Sequence, residues 1–293
     1  MYELVPAGPQ CWYIQSPAKA GLILAADNEV CLIDSGSDKE AGRRIRQILD
    51  KQGWRLKAII NTHSNADHIG GNRYLQNQTH CPIFAAGIEA ALTRHPILEP
   101  AFLYGGYPPR DLRHKFLLAE ESDAQDISSP DFPKDLGVIE LPGHFFQMIG
   151  IRSPGNTVFL GDCVSSLSTL EKYRITFIYD VDAYLKTLSL LEGLDADLYV
   201  PAHAEATKDL SPLIRANRET VLSIAEKICT LCAGEGLSFE TILKELFSCY
   251  GLTMNFEQYV LTGSTVKSYL AWLRDSGKLD VEFRENMLLW RSV

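Results

Sequence analysis

The strongest structural signal in this chain is the segment Thr62-His63-Ser64-Asn65-Ala66-Asp67-His68-Ile69-Gly70-Gly71. It follows an apolar run at 57–61 that predicts a strand, and it precedes a predicted helix over 68–76. Three potential ligands, His63, Asp67 and His68, therefore fall within six residues at a turn. Imidazole nitrogens and carboxylate oxygens together suit zinc, iron or manganese. The segment predicts a metal site.

Three further ligand-type residues each follow an apolar run that predicts a strand. His144 follows 138–141, and Asp162 follows 157–160. His203 follows the predicted strand 197–201 after one residue, Ala202. Because strand ends are rigid and hold side chains at fixed distances, we expect all three to meet the segment 62–71 at one sheet edge.

This combination resembles the metallo-β-lactamase superfamily. The signature of that family is HxHxDH, followed by a His after Pro-Gly, an Asp after Gly and a final His. The resemblance covers residues 10 to about 210. It implies an α/β (α+β) fold, a four-layer αββα sandwich with its metal site at one edge of two facing sheets.

The resemblance also implies roles for the ligand-type residues. By position, His63 and His144 would serve the first metal, Asp67, His68 and His203 the second, and Asp162 would bridge the two. The expected cofactor is zinc, as one or two ions, and iron or manganese would also suit these ligands. Asp34, at the end of a predicted hairpin strand, matches a family position that supports the ligands.

The second His of the signature is replaced by Asn65. A neutral amide oxygen is a weaker ligand than imidazole, so we expect the second metal site, with four ligands, to bind more tightly than the first. Asn65 could instead hydrogen-bond a water or the substrate. Asp67 could orient the attacking hydroxide as well as bind metal, so Asp67 and Asn65 are the predicted catalytic residues.

The function that the resemblance implies is hydrolysis by a metal-activated water. A small-molecule ester, thioester or lactone is the expected substrate. Alternatives are a nuclease acting on RNA, a redox di-iron relative, and a non-catalytic binding protein that kept the fold. Four residues are weaker candidates for stabilising a developing oxyanion: Tyr104, Tyr179, Lys208 and Arg110.

Composition narrows the choice of partners. The 293 residues carry a net charge of -9, which argues against nucleic-acid binding. No apolar run reaches the roughly 20 residues of a membrane helix, and the first residues lack the pattern of a signal peptide. Seven scattered cysteines favour reduced thiols. We therefore expect a cytoplasmic hydrolase of small molecules, without membrane contact, which could form a homodimer.

The chain divides into two expected domains. Residues 1–210 would form the catalytic domain, within which the proline-rich and aromatic segment 87–135 is interpreted as an irregular insertion that caps the site. Residues 211–293 would form a helical domain with two amphipathic helices, at 238–250 and 265–276, and a terminal hairpin. This order resembles a winged helix.

Overall fold

A seven-stranded sheet carries the segment 62–71 at the end of its fifth strand. The computed structural model describes residues 2–293. The strands, in spatial as well as chain order, are β1 (Glu3–Gly8), β2 (Cys11–Gln15), β3 (Ala20–Leu24), β4 (Glu29–Ile33), β5 (Arg55–Ile60), β6 (Ile83–Ala85) and β7 (Ala124–Asp126). Neighbours from β1 to β4 are antiparallel, and those from β4 to β7 are parallel.

A second sheet supplies the other predicted ligand positions. Its strands are β8 (Gly137–Glu140), β9 (Ile149–Arg152), β10 (Thr157–Gly161) and β11 (Leu198–Pro201). They lie in the order β8-β9-β10-β11, and only the β10–β11 pair is parallel. The strands that the sequence predicts before His144, Asp162 and His203 are thus β8, β10 and β11.

Helices lie on the outer faces of both sheets and in the segments that connect the strands. They are α1 (Lys39–Gln52), α2 (Ala66–Ile69), α3 (Asn72–Thr79), α4 (Ile88–Arg94), α5 (Leu98–Tyr104), α6 (Leu167–Tyr173), α7 (Val181–Glu192), α8 (Ser211–Leu231), α9 (Phe239–Tyr250) and α10 (Phe256–Asp275). A terminal hairpin pairs β12 (Leu279–Arg284) with β13 (Met287–Ser292).

Local chemistry explains the boundaries of α1. The Asp38 carboxylate caps the helix by accepting from the Ala41 N–H, and the left-handed Gly53 ends it. Ile45 and Leu49, one helical turn apart, are buried against the sheet.

Three apolar clusters define the layers of the sandwich. One lies between the two sheets and contains Ile33, Phe84 and Phe159. A second joins the outer face of the first sheet to α1, α3 and α4. The third joins the outer face of the second sheet to α7, α8, α9 and α10. The predicted αββα sandwich of the α/β class is therefore confirmed.

The C-terminal segment shares this third cluster with the sheet. Leu141 and Val158 of the sheet region lie in one cluster with Leu246 of α9 and Leu270 of α10. The two predicted helices and the hairpin are present, but α10 begins at Phe256, well before residue 265. A division of the chain at residue 210, and the likeness of the tail to a winged helix, stay predictions.

The segment 87–135 is more regular than the sequence analysis predicts. It contains α4, α5, the edge strand β7 and a 3-10 turn at Arg110–Leu112. The predicted helix 68–76 is interrupted at Gly70-Gly71, so that α2 and α3 are separate. In residues 2–293, no helix combines the length and apolar character that crossing a membrane requires.

Candidate metal centre

The six predicted ligands converge at one edge of the two sheets. His63 follows β5 of the first sheet, and α2 carries Asp67 and His68. The second sheet contributes the remaining three from the ends of β8, β10 and β11, namely His144, Asp162 and His203. The side chains form two groups, one of His63, His144 and Asp162 and one of Asp67, His68 and His203. Within each group the ligand atoms lie within 4.8 Å of one another.

Asp162 belongs to the first group and also contacts the second. Its Oδ1 is 3.2 Å from His68 Nε2, and its Oδ2 is 3.6 Å from His144 Nε2 and 3.4 Å from His203 Nε2. One carboxylate thus contacts imidazoles of both groups, which is the arrangement that a bridging ligand requires.

Hydrogen bonds on the far side of each ring fix the tautomers of His63 and His68. The Thr62 N–H and hydroxyl both donate to the Asp34 carboxylate, each at 2.8 Å. Because that hydroxyl has one proton, its oxygen accepts from His63 Nδ1 at 3.0 Å. His68 Nδ1 donates to Asp34 Oδ2 at 2.8 Å. In the neutral rings, both Nε2 atoms therefore present lone pairs to the site.

Backbone carbonyls set the same tautomer in the other two rings. His144 Nδ1 donates to the Phe177 carbonyl at 3.0 Å, and His203 Nδ1 donates to the Pro17 carbonyl at 3.0 Å. A carbonyl oxygen only accepts, so Nδ1 carries the proton in each ring and Nε2 is free for a metal.

The buried polar atoms of this site fit a metal ion. His63 Nε2, His68 Nε2 and Asp162 Oδ1 are all buried and make no hydrogen bond of good geometry, although the last two lie 3.2 Å apart. Buried polar groups are normally paired, so three unpaired atoms at one point call for a ligand. Four neutral imidazoles and two carboxylates form a donor set that suits a divalent transition metal.

The electrostatics of the site also favour a cation. The Asp162 carboxylate raises the pKa of His203 to about 10 against the opposing effect of burial. Burial would raise the pKa of the Asp67 carboxyl, but His68 and His203 outweigh it and lower that pKa. The two carboxylates are thus held as anions, and metal binding would displace the protons that they attract to the histidines.

Asn65 contacts a residue that the sequence analysis does not single out. Its Nδ2 donates to Glu99 Oε1 at 2.7 Å, and its Oδ1 lies 3.3 Å from His144 Nε2. Glu99 lies on α5 and is 4% exposed. Burial raises the pKa of its carboxyl well above the ordinary value, and the Asn65 hydrogen bond opposes that rise.

Aromatic residues form the apolar wall on the side of His63 and His144. Phe145 is fully buried, with its ring centroid 6.2 Å from that of His63. Phe146 packs on Phe102 of α5 at 5.3 Å between centroids. Cys163, next to Asp162 in sequence, is buried in the cluster under the second sheet.

A cavity of about 970 Å³ opens over the two ligand groups. Asp67, His144, Asp162 and His203 contribute to one side of its wall. The opposite elements contribute Phe116 from the segment 87–135 and, from α10, Gln258, Leu261 and Thr262. The cavity is large enough for a small-molecule substrate.

Lys19 lines this cavity, whereas the four residues predicted to stabilise an oxyanion do not. Lys19 is 8% exposed, and its Nζ donates to the Ala204 carbonyl beside His203. No sequence motif marks it. Among the described residues that form the wall, Tyr104, Tyr179, Lys208 and Arg110 are absent, so their proposed role is not supported by their positions.

Comparisons with known proteins agree with this arrangement. The model of the "Metallo-beta-lactamase superfamily" matches residues 15–203. A beta-lactamase domain protein from Burkholderia ambifaria superimposes with a TM-score of 0.75 at 16% identity, covering 99% of this chain and 94% of that chain. A metallo-beta-lactamase family protein from Thermus thermophilus gives a TM-score of 0.70 at 15% identity, covering 99% and 98%. At these identities the likeness concerns the fold.

Curated relatives share shorter regions. A hydroxyacylglutathione hydrolase from Methylococcus capsulatus is 42% identical over 53 residues, which cover 18% of this chain and 19% of the relative. Another from Rhodopseudomonas palustris is 24% identical over 147 residues, or 48% of this chain and 47% of the relative. The chain thus matches about half or less of the length of these relatives.

Proposed function

Because the chain belongs to the metallo-beta-lactamase superfamily, we propose that it is a metal-dependent hydrolase of small-molecule esters, thioesters or lactones. The observation that carries this proposal is the pair of ligand groups beneath a cavity of about 970 Å³, with buried ligand atoms that make no hydrogen bond. The name of the curated relatives favours a thioester within this class.

The ligand roles follow the two groups. His63, His144 and Asp162 would hold the first ion, and Asp162 would also serve the second together with Asp67, His68 and His203. Zinc suits this donor set, and iron or manganese would also fit it. A bound ion supplies a water of lowered pKa and polarises the substrate oxygen.

Residues of the chain would then orient and protonate the reacting groups. Asp67 Oδ2 lies 3.1 Å from His203 Nε2, and the Asp67 side chain is 38% exposed. Its second carboxylate oxygen is therefore free to accept a hydrogen bond from the attacking water. The Lys19 ammonium, which uses one of its three protons on Ala204, is available to a substrate oxygen in the same cavity.

The two main alternatives, a nuclease and a non-catalytic binding protein, would require other structural features. A nuclease would require a positive surface for the phosphate backbone, and the net charge is -9. A binding protein that had lost its metals would not require buried ligand atoms left unpaired. Action on small molecules in the cytoplasm, without nucleic acid or membrane, and formation of a homodimer remain parts of the proposal.

The test is hydrolysis by the purified chain loaded with zinc, iron or manganese. The substrates are an aryl ester, a hydroxyacylglutathione thioester, a lactone and an RNA oligonucleotide. His203→Ala removes a proposed ligand, and His95→Ala, at an exposed histidine outside the site, is the matched control. We expect metal-dependent turnover of at least one acyl substrate, lost in His203→Ala and retained in His95→Ala.

Other outcomes would redirect the proposal. Cleavage of RNA alone would identify a nuclease. Tight metal binding without turnover of any acyl substrate would contradict the hydrolase proposal, and a folded chain that binds no metal would contradict the proposed ligand roles as well.

A further inference from the structure

Asn65 occupies the position of a histidine in the family signature. Although it precedes a helix, its side chain does not cap that helix. Asn65 precedes α2 in an extended conformation, with φ -61° and ψ 145°. An asparagine at such a position normally accepts a hydrogen bond from the first turn of the helix. Here it makes no such bond, and the amide is turned away from the helix.

Glu99 fixes the direction of this amide. In the structure the Asn65 NH2 group donates to Glu99 Oε1 at 2.7 Å. The NH2 group of Asn65 therefore faces Glu99, and the amide oxygen faces the opposite way. Glu99 is itself held in place, because α5 is packed against α10 through Leu103 and Val260.

The oxygen so directed meets a second acceptor. Asn65 Oδ1 is 3.3 Å from Nε2 of His144, whose Nδ1 already donates its proton to Phe177. In the neutral ring, two lone pairs face each other at this distance. A cation between them and the unpaired Nε2 of His63 would remove the conflict.

We propose that Asn65 is the amide-oxygen ligand that completes the first metal site, and that the buried Glu99 is its positioning residue. The first site would then have four protein ligands, His63, Asn65, His144 and Asp162. Glu99 acts by holding the amide in one of its two orientations and by polarising its oxygen. This inference rests on the proposed metal-binding function and adds to it the means by which the chain tolerates loss of a histidine.

The test measures metal content and affinity rather than turnover. The metal-free chain is titrated with Co²⁺, whose ligand-field absorption reports the ligands of each ion, and the affinities are measured by competition with a chelator. We expect two equivalents to bind in the unmodified chain. Glu99→Leu and Asn65→Leu should each weaken the first site by about 10- to 100-fold, the effect typical of partners that orient a metal ligand, and leave the second site unchanged.

A double-substitution cycle separates orientation from general damage. The Asn65→Leu/Glu99→Leu variant should bind no more weakly than either single variant, because both break the same interaction. In an Asn65→His background, Glu99→Leu should have little effect on the first site, since imidazole does not need that carboxylate. Leu98→Ala, at an exposed position of the same helix, is the matched control and should leave both metal affinities unchanged.

Glu99→Gln covers the case in which Glu99→Leu fails to fold, because it preserves size but offers Asn65 an NH2 group as well as an oxygen, so that the Asn65 amide is no longer held in one orientation. It should weaken the first site by about tenfold. Folded Glu99 variants that bind both ions as tightly as the unmodified chain would overturn this inference and leave the hydrolase proposal intact. Absence of metal binding in the unmodified chain would overturn both.

Discussion

Oδ2 of Asp34 lies 2.8 Å from Nδ1 of His68, deep under the metal centre. The same carboxylate accepts two hydrogen bonds from Thr62, which precedes His63. Asp34 itself has a left-handed backbone, with φ 59°. One buried carboxylate thus orients a ligand of each proposed metal site.

Asp34→Asn is therefore expected to weaken metal binding without unfolding the chain. Asparagine tolerates the left-handed backbone, but its NH2 group would face a donor of Thr62 or His68. The affinity of the second site should fall about 10- to 100-fold, measured by competition with a chelator. Asp131→Asn, at an exposed position, is the control and should bind metal as before. An unchanged affinity in Asp34→Asn would show that His68 keeps its orientation without this bond.

Gly143 should not tolerate a side chain. It has φ 120° immediately before His144, and a Cβ built there would clash with the backbone nitrogen of Tyr184. Gly143→Ala should lower the free energy of unfolding by several kcal/mol, because both the backbone and the contact are strained; about 4 kcal/mol is the order that a severe single substitution reaches. Urea denaturation measures the change.

Gly277→Ala is the matched control for Gly143→Ala. Gly277 has φ 72°, but no atom lies within 4 Å of a Cβ built there. Only the backbone strain remains, so we expect a loss of about 1–2 kcal/mol. Equal losses in the two variants would argue against the close approach of Gly143 to Tyr184.

Thr265→Val should loosen the loop that orients His144. The Thr265 hydroxyl on α10 accepts from the Ile178 N–H at 3.1 Å, next to the Phe177 carbonyl that binds His144. Valine has the same shape but leaves that buried N–H unpaired, at a cost of about 1–3 kcal/mol. The affinity of the first site for metal should fall together with the stability.

Thr230→Val distinguishes this effect from the loss of any threonine hydroxyl. Thr230 is exposed on α8 and donates only to the Glu226 carbonyl of its own helix. Both stability and metal affinity should stay close to those of the unmodified chain. If Thr265→Val also leaves both quantities unchanged, α10 does not brace the His144 loop.

Glu89 should make the stability of the metal-loaded chain fall as pH rises. Burial raises the pKa of its carboxyl to about 7, although it accepts hydrogen bonds from Ser64 and Gln147. The folded chain therefore retains a proton that the unfolded chain releases near its ordinary pKa. The contribution of this group is complete below about pH 4.5 and declines by about 3 kcal/mol as pH rises through 7.

The measurement compares unfolding free energies of the unmodified chain and Glu89→Gln between pH 5 and about 8. Glutamine has no proton to lose, so the difference between the two curves should change in that range. Parallel curves would mean that Glu89 titrates near its ordinary pKa. Because only the difference is used, pH effects of the metal centre common to both chains cancel.

The convergence of the six proposed ligands could be predicted from sequence, because the segment 62–71 and each of the other three ligands follow a strand. Ligand-type residues after β5, β8, β10 and β11 lie at the same edge once the sheets face each other, and the spacing in 62–71 repeats a family signature. Glu99 could not be predicted. It is 34 positions from Asn65, on a seven-residue helix within a proline-rich segment whose composition indicates irregular structure.

The first residue of α10 could not be predicted from the periodicity of apolar residues either. Thr262, Gly263 and Ser264 interrupt the apolar pattern in its first half, so the predicted helix begins only at residue 265. In the structure, Asn255 caps the helix by accepting from the Gln258 N–H, and Gly263 lets Phe239 of α9 pack closely. The cap at Asn255 and packing against α9, rather than apolar periodicity, therefore set the start of this helix.

The bracing of His144 by α10 has a consequence for synthesis of the protein. Every proposed metal ligand lies between residues 63 and 203, whereas Thr265 and Ser268, which bind the loop at Ile178 and Tyr179, are translated later. While the chain is still attached to the ribosome, the imidazoles can already be exposed to metal ions, but the loop that aligns one of them lacks its support. Correct metal loading should therefore follow translation of α10, and chaperones or metal carriers that act earlier would meet an unfinished site.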